Sequence, residues 1–118
     1  MQEQIYQIRF IGHCGEYISE STARFWRNKD PRLFRRTQTA IDRLVASPYD
    51  AAGSHLLKWD LAGLRAADLI RGWRLIFKVC QECHQNNLEQ PHPLDCCIGD
   101  VEVDELTINI LGISDHYA

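Results

Sequence analysis

The chain contains 118 residues, of which 45% are hydrophobic and 25% are charged, a composition that fits one globular domain and excludes two full-sized ones. No apolar run approaches the roughly 20 residues that span a bilayer, so we expect a cytoplasmic protein without a membrane partner. All 13 Lys and Arg lie within residues 1–78, whose net charge is +5, whereas residues 79–118 carry −8; the overall −3 therefore does not exclude nucleic acid.

Two short elements are predicted at the start of the chain. Residues 5–11 alternate loosely between apolar and polar side chains, a pattern that predicts a strand with a well-buried face. Ser19 or Ser21 can then cap a short helix that carries Phe25 and Trp26. Together they predict a strand followed by a helix.

A second, longer helix is predicted to begin at Asp30-Pro31, because an acidic N-cap residue followed by proline is a helix start signal. At 100° per residue its apolar face comprises Leu33, Phe34, Thr37, Ala40, Ile41, Leu44 and Val45. The opposite face is a basic stripe of Arg32, Arg35, Arg36 and Arg43. Ser47-Pro48 ends the helix, since the residue before proline disfavours the α region.

The remaining sequence predicts a β-hairpin, a polar segment and a last strand. Residues 64–70 and 73–80 read as two strands joined by a tight turn at Arg71-Gly72. Residues 81–105 are polar and acidic, as in a long loop outside the core, and residues 106–113 alternate again. This order predicts an α+β fold: an N-terminal strand and two helices packed on a small, mostly antiparallel sheet.

Two stretches lie around the predicted hairpin. The first is His55-Leu56-Leu57-Lys58-Trp59-Asp60-Leu61-Ala62-Gly63-Leu64-Arg65, and the second is Arg71-Gly72-Trp73-Arg74-Leu75-Ile76-Phe77-Lys78-Val79. Together they resemble the RelE/ParE superfamily of type II toxins. The spacing from Gly63 to Arg74 and the ending His116-Tyr117 are similar to the Txe/YoeB group. The resemblance implies one RelE-like domain over residues 1–118.

The sequence departs from this family in three places. Ala67 and Asp68 stand where the family has paired arginines. His55 stands where the Txe/YoeB group has a glutamate, proposed as its general base. Residues 81–105 have no counterpart in a typical small toxin, and we interpret them as an acidic insertion that contains Cys and His.

The resemblance implies a ribosome-dependent endoribonuclease in which an RNA 2′-hydroxyl attacks the adjacent phosphate without a metal. Such a reaction needs a base, a cation on the phosphate and an acid for the leaving 5′-oxygen. His55 is the expected base, because an unperturbed imidazole titrates near a pH of about 6.5. Arg74 would hold the scissile phosphate, His116 would be the acid, and Tyr117 would stack on a base or assist proton transfer.

Each of these residues also has a plainer explanation. His55 would then be a solvated loop residue between helix and hairpin, and His116-Tyr117 a frayed C-terminus. Arg74 would be neutralised by an acidic side chain such as Asp60 or Asp115.

Further RNA contacts are expected from other cations of the basic segment. Lys58 and Arg65 flank the predicted site in sequence. The basic stripe of Arg32, Arg35, Arg36 and Arg43 would face ribosomal RNA on a ribosome-directed enzyme. The stripe is explained equally well as the solvent-exposed side of an amphipathic helix.

Four cysteines near the acidic segment form a second candidate site, for a metal: Cys80, Cys83, Cys96 and Cys97. The CxxC spacing of the first two is typical of a zinc knuckle. The adjacent second pair is a poor match, because neighbouring side chains on an extended segment point apart. A structural zinc, reduced thiols and a disulfide all stay open, and the nuclease chemistry requires no cofactor.

As a toxin, the protein would bind a small cognate antitoxin, the ribosome and mRNA, as a homodimer or as a toxin-antitoxin hetero-oligomer. A non-catalytic alternative keeps the same fold. In it the protein is a ParE-like gyrase inhibitor, or a degenerate toxin that still binds its antitoxin. The absent family arginines at Ala67 and Asp68 and the acidic insertion favour this alternative.

Overall fold

The computed structural model describes residues 6–10, 22–50, 53–57, 64–82 and 106–115. Their elements in chain order are β1 (Gln7–Phe10), α1 (Ala23–Lys29), α2 (Pro31–Ala46), β2 (His55–Leu56), β3 (Arg65–Asp68), β4 (Arg74–Val79) and β5 (Thr107–Ser114). Residues 80–82 are helical and follow β4 directly. The predicted α+β class is confirmed. In this part of the chain no helix is long and apolar enough to cross a membrane.

The strands form one sheet in the order β1-β5-β4-β3-β2. β1 pairs with β5 in parallel, and the other neighbouring strands pair antiparallel, so the mostly antiparallel sheet is confirmed. The expectation that His55 lies in a loop is wrong, because His55 belongs to β2 and pairs with Ala66 of β3. A strand of two residues is too short to produce a periodicity that the sequence could reveal.

The main core lies between the helices and one face of the sheet. Leu75 and Phe77 of β4 point to this face and are fully buried against Leu33 and Leu44 of α2. Alternation along β4 directs Arg74, Ile76 and Lys78 to the opposite face. A smaller buried cluster on that opposite face comprises Leu57, Leu64, Ala66, Ile76 and Leu111.

Helix α2 has the two faces that its sequence predicts. Its fully buried or nearly buried residues are Leu33, Phe34, Thr37, Ala40 and Leu44, whereas Arg32, Arg35, Arg36 and Arg43 are exposed. The Asp30 carboxylate accepts a hydrogen bond from the backbone N of Leu33 at 3.1 Å, which confirms the predicted N-cap. For α1 the N-cap residue is Thr22, and the predicted caps Ser19 and Ser21 lie outside the described residues.

The turn between β3 and β4 sets the register of the hairpin. Arg71 and Gly72 have φ angles of 53° and 81°, and the Arg71 guanidinium forms an ion pair with Asp30 at the start of α2. A two-residue turn would place Asp68 opposite Leu75, but the observed partner of Asp68 is Arg74. The loop is therefore one residue longer than predicted, and this shift moves Asp68 to the same face as Arg74.

We expect Asp30→Ala to lower the free energy of unfolding by about 1–2 kcal/mol, because it removes the N-cap of α2. It also removes the carboxylate that binds Arg71. Urea denaturation measures the change, and Asp42→Ala is a matched control because Asp42 is an exposed acid in the middle of the same helix. Equal urea midpoints for the two variants would contradict the prediction.

Candidate functional site

The candidate site lies on the sheet face that points away from the helices. The strand register places Arg74 of β4 between Asp68 of β3 and Ser114 of β5. His55 of β2 pairs with Ala66, which is two residues before Asp68 on β3. Because directly paired residues project to the same face, Arg74, Asp68 and His55 share this surface. The structure thus brings two of the predicted catalytic residues together on one face.

Arg74 is held by a carboxylate that the sequence reasoning did not assign to it. Its Nε donates to Asp68 Oδ1 at 3.1 Å, with 26% of the Arg74 side chain and 58% of the Asp68 side chain exposed. The expected partners were Asp60, which lies outside the described residues, and Asp115. An exposed ion pair of this kind contributes only about 0–1 kcal/mol, so a phosphate can displace the carboxylate from the guanidinium at little cost.

His55 presents an exposed imidazole on the same face. Its Nδ1 lies 3.0 Å from the carbonyl oxygen of Gly53, a contact that requires a proton on Nδ1. In the neutral ring this contact directs the lone pair to Nε2, which is the atom able to accept a proton. Ideal strand spacing separates the Cα atoms of His55 and Arg74 by about 12 Å, close enough for both side chains to flank one nucleotide.

Arg65 lies on the opposite face, where it pairs across the sheet with Phe77. Its Nε and Nη2 donate to the Glu82 carboxylate at 2.9 to 3.1 Å, and its Nη1 donates to Ser54 Oγ at 3.1 Å. The guanidinium also lies 4.9 Å from the ring centroid of Tyr49. These contacts assign Arg65 to packing, and they give no support to its predicted RNA contact.

The four arginines of the basic stripe have different surroundings in the structure. A groove between α2 and β3, here called the α2 groove, is lined by Arg36, Thr39, Ala40, Arg43, Asp68 and Leu69. Arg36 and Arg43 therefore border the candidate site through Asp68, whereas Arg32 and Arg35 do not line the groove. The sequence alone could not separate these two pairs, because all four lie on one helix face.

Two solved structures share this arrangement of strands and helices. A YoeB/ParE toxin from Agrobacterium tumefaciens superposes with a TM-score of 0.59 at 13% identity, over 94% of this chain and 99% of that one. The protein has the RelE/ParE-like toxin fold. A chain of the toxin-antitoxin complex RelBE2 from Mycobacterium tuberculosis superposes with a TM-score of 0.52 at 20% identity, over 93% of this chain and 96% of that one.

No protein-family model matches the sequence, and no curated protein matches it. The resemblance that the sequence predicts is therefore confirmed at the level of the RelE/ParE-like fold. The identities of 13% and 20% leave the activity to be argued from the side chains themselves.

Several predicted site residues lie outside the described part of this RelE/ParE-like fold: Lys58, His116, Tyr117, Cys83, Cys96 and Cys97. Their roles stay predictions. Within the described ranges, no three His, Cys, Asp or Glu side chains lie close enough to hold a metal. Cys80 is buried, and its Sγ lies 3.0 Å from Asn109 Nδ2. The zinc prediction is therefore neither supported nor contradicted.

A buried polar pair in the RelE/ParE-like sheet was missed by the sequence reasoning. Lys78 is fully buried on β4 and pairs across the sheet with Asn109 of β5, which is also fully buried. Asn109 Oδ1 is a buried atom for which no hydrogen-bond partner occurs among the described residues. The available signal was the position of Lys78 between Phe77 and Val79, because a nearly continuous apolar run is typical of a strand that is buried on both faces.

Proposed function

We propose that the protein is the toxin of a type II toxin-antitoxin system and that it cleaves mRNA on the ribosome. The observation that carries the proposal is the position of Arg74, partly exposed, on the sheet face that points away from the helices in a RelE/ParE-like fold. Its guanidinium is partly exposed and is paired with an exposed carboxylate, so it can exchange that carboxylate for a phosphate.

In the proposed reaction Arg74 binds the non-bridging oxygens of the scissile phosphate and stabilises the charge that develops on them. His55 Nε2 removes the proton from the 2′-hydroxyl, and the 2′-oxygen attacks phosphorus. The bond from phosphorus to the 5′-oxygen breaks, leaving a 2′,3′-cyclic phosphate and a 5′-hydroxyl.

His116 gives the 5′-oxygen its proton in this scheme, and Tyr117 stacks on a base. Support comes from chain connectivity. Ser114 is paired with Arg74, and His116 follows Ser114 by two residues in the sequence. No metal or other cofactor is needed for this chemistry.

The proposal includes a cognate antitoxin, because one matched chain belongs to a toxin-antitoxin complex. The toxin would act in the cytoplasm, where ribosomes and mRNA are found. An antitoxin that folds on binding would cover the arginines of α2 with acidic side chains.

A second candidate function is a ParE-like or degenerate toxin that binds a protein without cutting RNA. Asp68 favours it, since the carboxylate that binds Arg74 repels a phosphate at the same position. Arg65 also favours it, because the Glu82 carboxylate neutralises the Arg65 guanidinium on the other side of the sheet.

Induced expression in a bacterial host tests the two functions together. We expect growth arrest, new mRNA fragments with 5′-hydroxyl ends at codons that ribosomes occupy, and unchanged plasmid supercoiling. Intact mRNA with altered supercoiling would select the gyrase inhibitor. Normal growth, with an antitoxin that still binds, would select the degenerate toxin.

A further inference from the structure

We infer that the α2 groove is a second phosphate subsite, which binds the phosphate next to the scissile one in single-stranded RNA. The inference rests on the proposed nuclease function and extends it by giving Arg36 and Arg43 a role different from that of Arg32 and Arg35.

Asp68 connects the two sites. One of its carboxylate oxygens binds Arg74 Nε, and the same residue lines the α2 groove. Its other oxygen lies against the backbone of Gly53, where an added Cβ would approach to 2.9 Å. The carboxylate thus lies between Gly53 and Arg74, and the same residue borders both the Arg74 site and the α2 groove.

The RNA would reach the groove over the side chain of Asp68, which is 58% exposed. β2 pairs with Arg65 and Ala66, and Gly53, two residues before β2, lies against the other side of the Asp68 carboxylate. An RNA strand whose scissile phosphate is bound by Arg74 would pass over this exposed carboxylate towards α2. The next phosphate along the strand would then enter the groove.

The charges and lining of the groove suit a nucleotide. Arg36 and Arg43 are exposed and lie about 10 Å apart along α2, since they are separated by seven residues. Arg36, Arg43 and Asp68 line the groove, and Arg74 binds Asp68, so these four groups together carry a net charge of +2. Guanidinium groups bind phosphate in a bidentate manner, and Ala40 and Leu69 offer apolar contact for a ribose.

The experiment measures binding of short RNAs that carry a 2′-deoxy sugar at the cleavage position and so are not cut. The probes are a dinucleotide with one phosphate and two trinucleotides, extended at the 5′ or the 3′ end. Titration by NMR follows their dissociation constants into the millimolar range. We expect one trinucleotide to bind the wild type about tenfold more tightly than the dinucleotide.

The test variants are Arg36→Gln/Arg43→Gln, and the controls are Arg32→Gln/Arg35→Gln, which remove the same charge from the same helix. All four side chains are exposed, so the substitutions should change stability little. The additional affinity that the third nucleotide gives should disappear in Arg36→Gln/Arg43→Gln, here called the groove variant, and persist in the control. If both double variants lose this additional affinity equally, long-range charge explains it, and the inference of a subsite is overturned.

Other outcomes separate this inference from the proposed function. If neither trinucleotide binds more tightly than the dinucleotide, the subsite is wrong while the Arg74 site stands. If Arg74→Ala binds the dinucleotide as the wild type does, or if the wild type binds no RNA, the proposed function fails and the subsite fails with it. If only antitoxin binding is lost in the groove variant, the groove is a protein-binding surface and the inference is overturned.

Discussion

Arg74→Ala will abolish growth arrest and reduce mRNA cleavage by about 10²- to 10³-fold, the loss expected when a group that stabilises transition-state charge is removed. The substitution should leave the fold intact, because the contact to Asp68 is a partly exposed ion pair. Cleavage of mRNA in a reconstituted translation system measures the loss, and circular dichroism confirms folding.

Two variants make this result specific. Arg74→Lys keeps the charge but loses the planar fork, so it should retain an intermediate activity. Arg24→Ala removes a charge from the exposed surface of α1, outside the basic stripe, and should cleave mRNA nearly as the wild type does. An Arg74→Ala protein that arrests growth as well as the wild type would rule out the proposed chemistry.

Arg65→Ala will lower the free energy of unfolding by about 3 kcal/mol. The Arg65 and Glu82 side chains are only 13% and 9% exposed, so the substitution leaves a nearly buried carboxylate without its bidentate partner. It also removes the guanidinium from the Tyr49 ring and from Ser54 Oγ. Urea denaturation measures the loss of stability.

The double variant Arg65→Met/Glu82→Leu tests whether the loss of stability comes from the nearly buried Glu82 carboxylate. It removes both charges and fills similar volume, so most of the lost stability should return. Below their unfolding transitions, wild type and Arg65→Ala should bind single-stranded RNA with similar affinity. A folded Arg65→Ala protein with much weaker RNA binding would restore the RNA contact that the sequence reasoning expected of Arg65.

The parts of the fold that the sequence predicted well are those with many repeats of one pattern. Helix α2 offers four turns of amphipathic periodicity and a start signal at Asp30-Pro31, and both were confirmed. β2 was missed because two residues carry no periodicity. Hydrogen bonding to β3, a long-range property, is what makes it a strand.

The candidate site was predictable only in part, for a related reason. The alternation of β4 indicates that Arg74 lies on one sheet face, but its partner depends on the length of the loop around Arg71 and Gly72. One residue more in that loop places Asp68 opposite Arg74 rather than Leu75. The sequence also could not divide the arginines of α2, because the groove exists only where β3 packs beside that helix.

The position of β5 determines when the sheet can form during translation. β5 lies between β1 and β4 in the sheet, and its pairing with β1 joins Gln7 to Thr107, which are 100 positions apart. β1 and the hairpin leave the ribosome before the strand that connects them, so long-range pairing delays completion of the sheet. The sheet that carries Arg74 is therefore completed only after β5 has been synthesised.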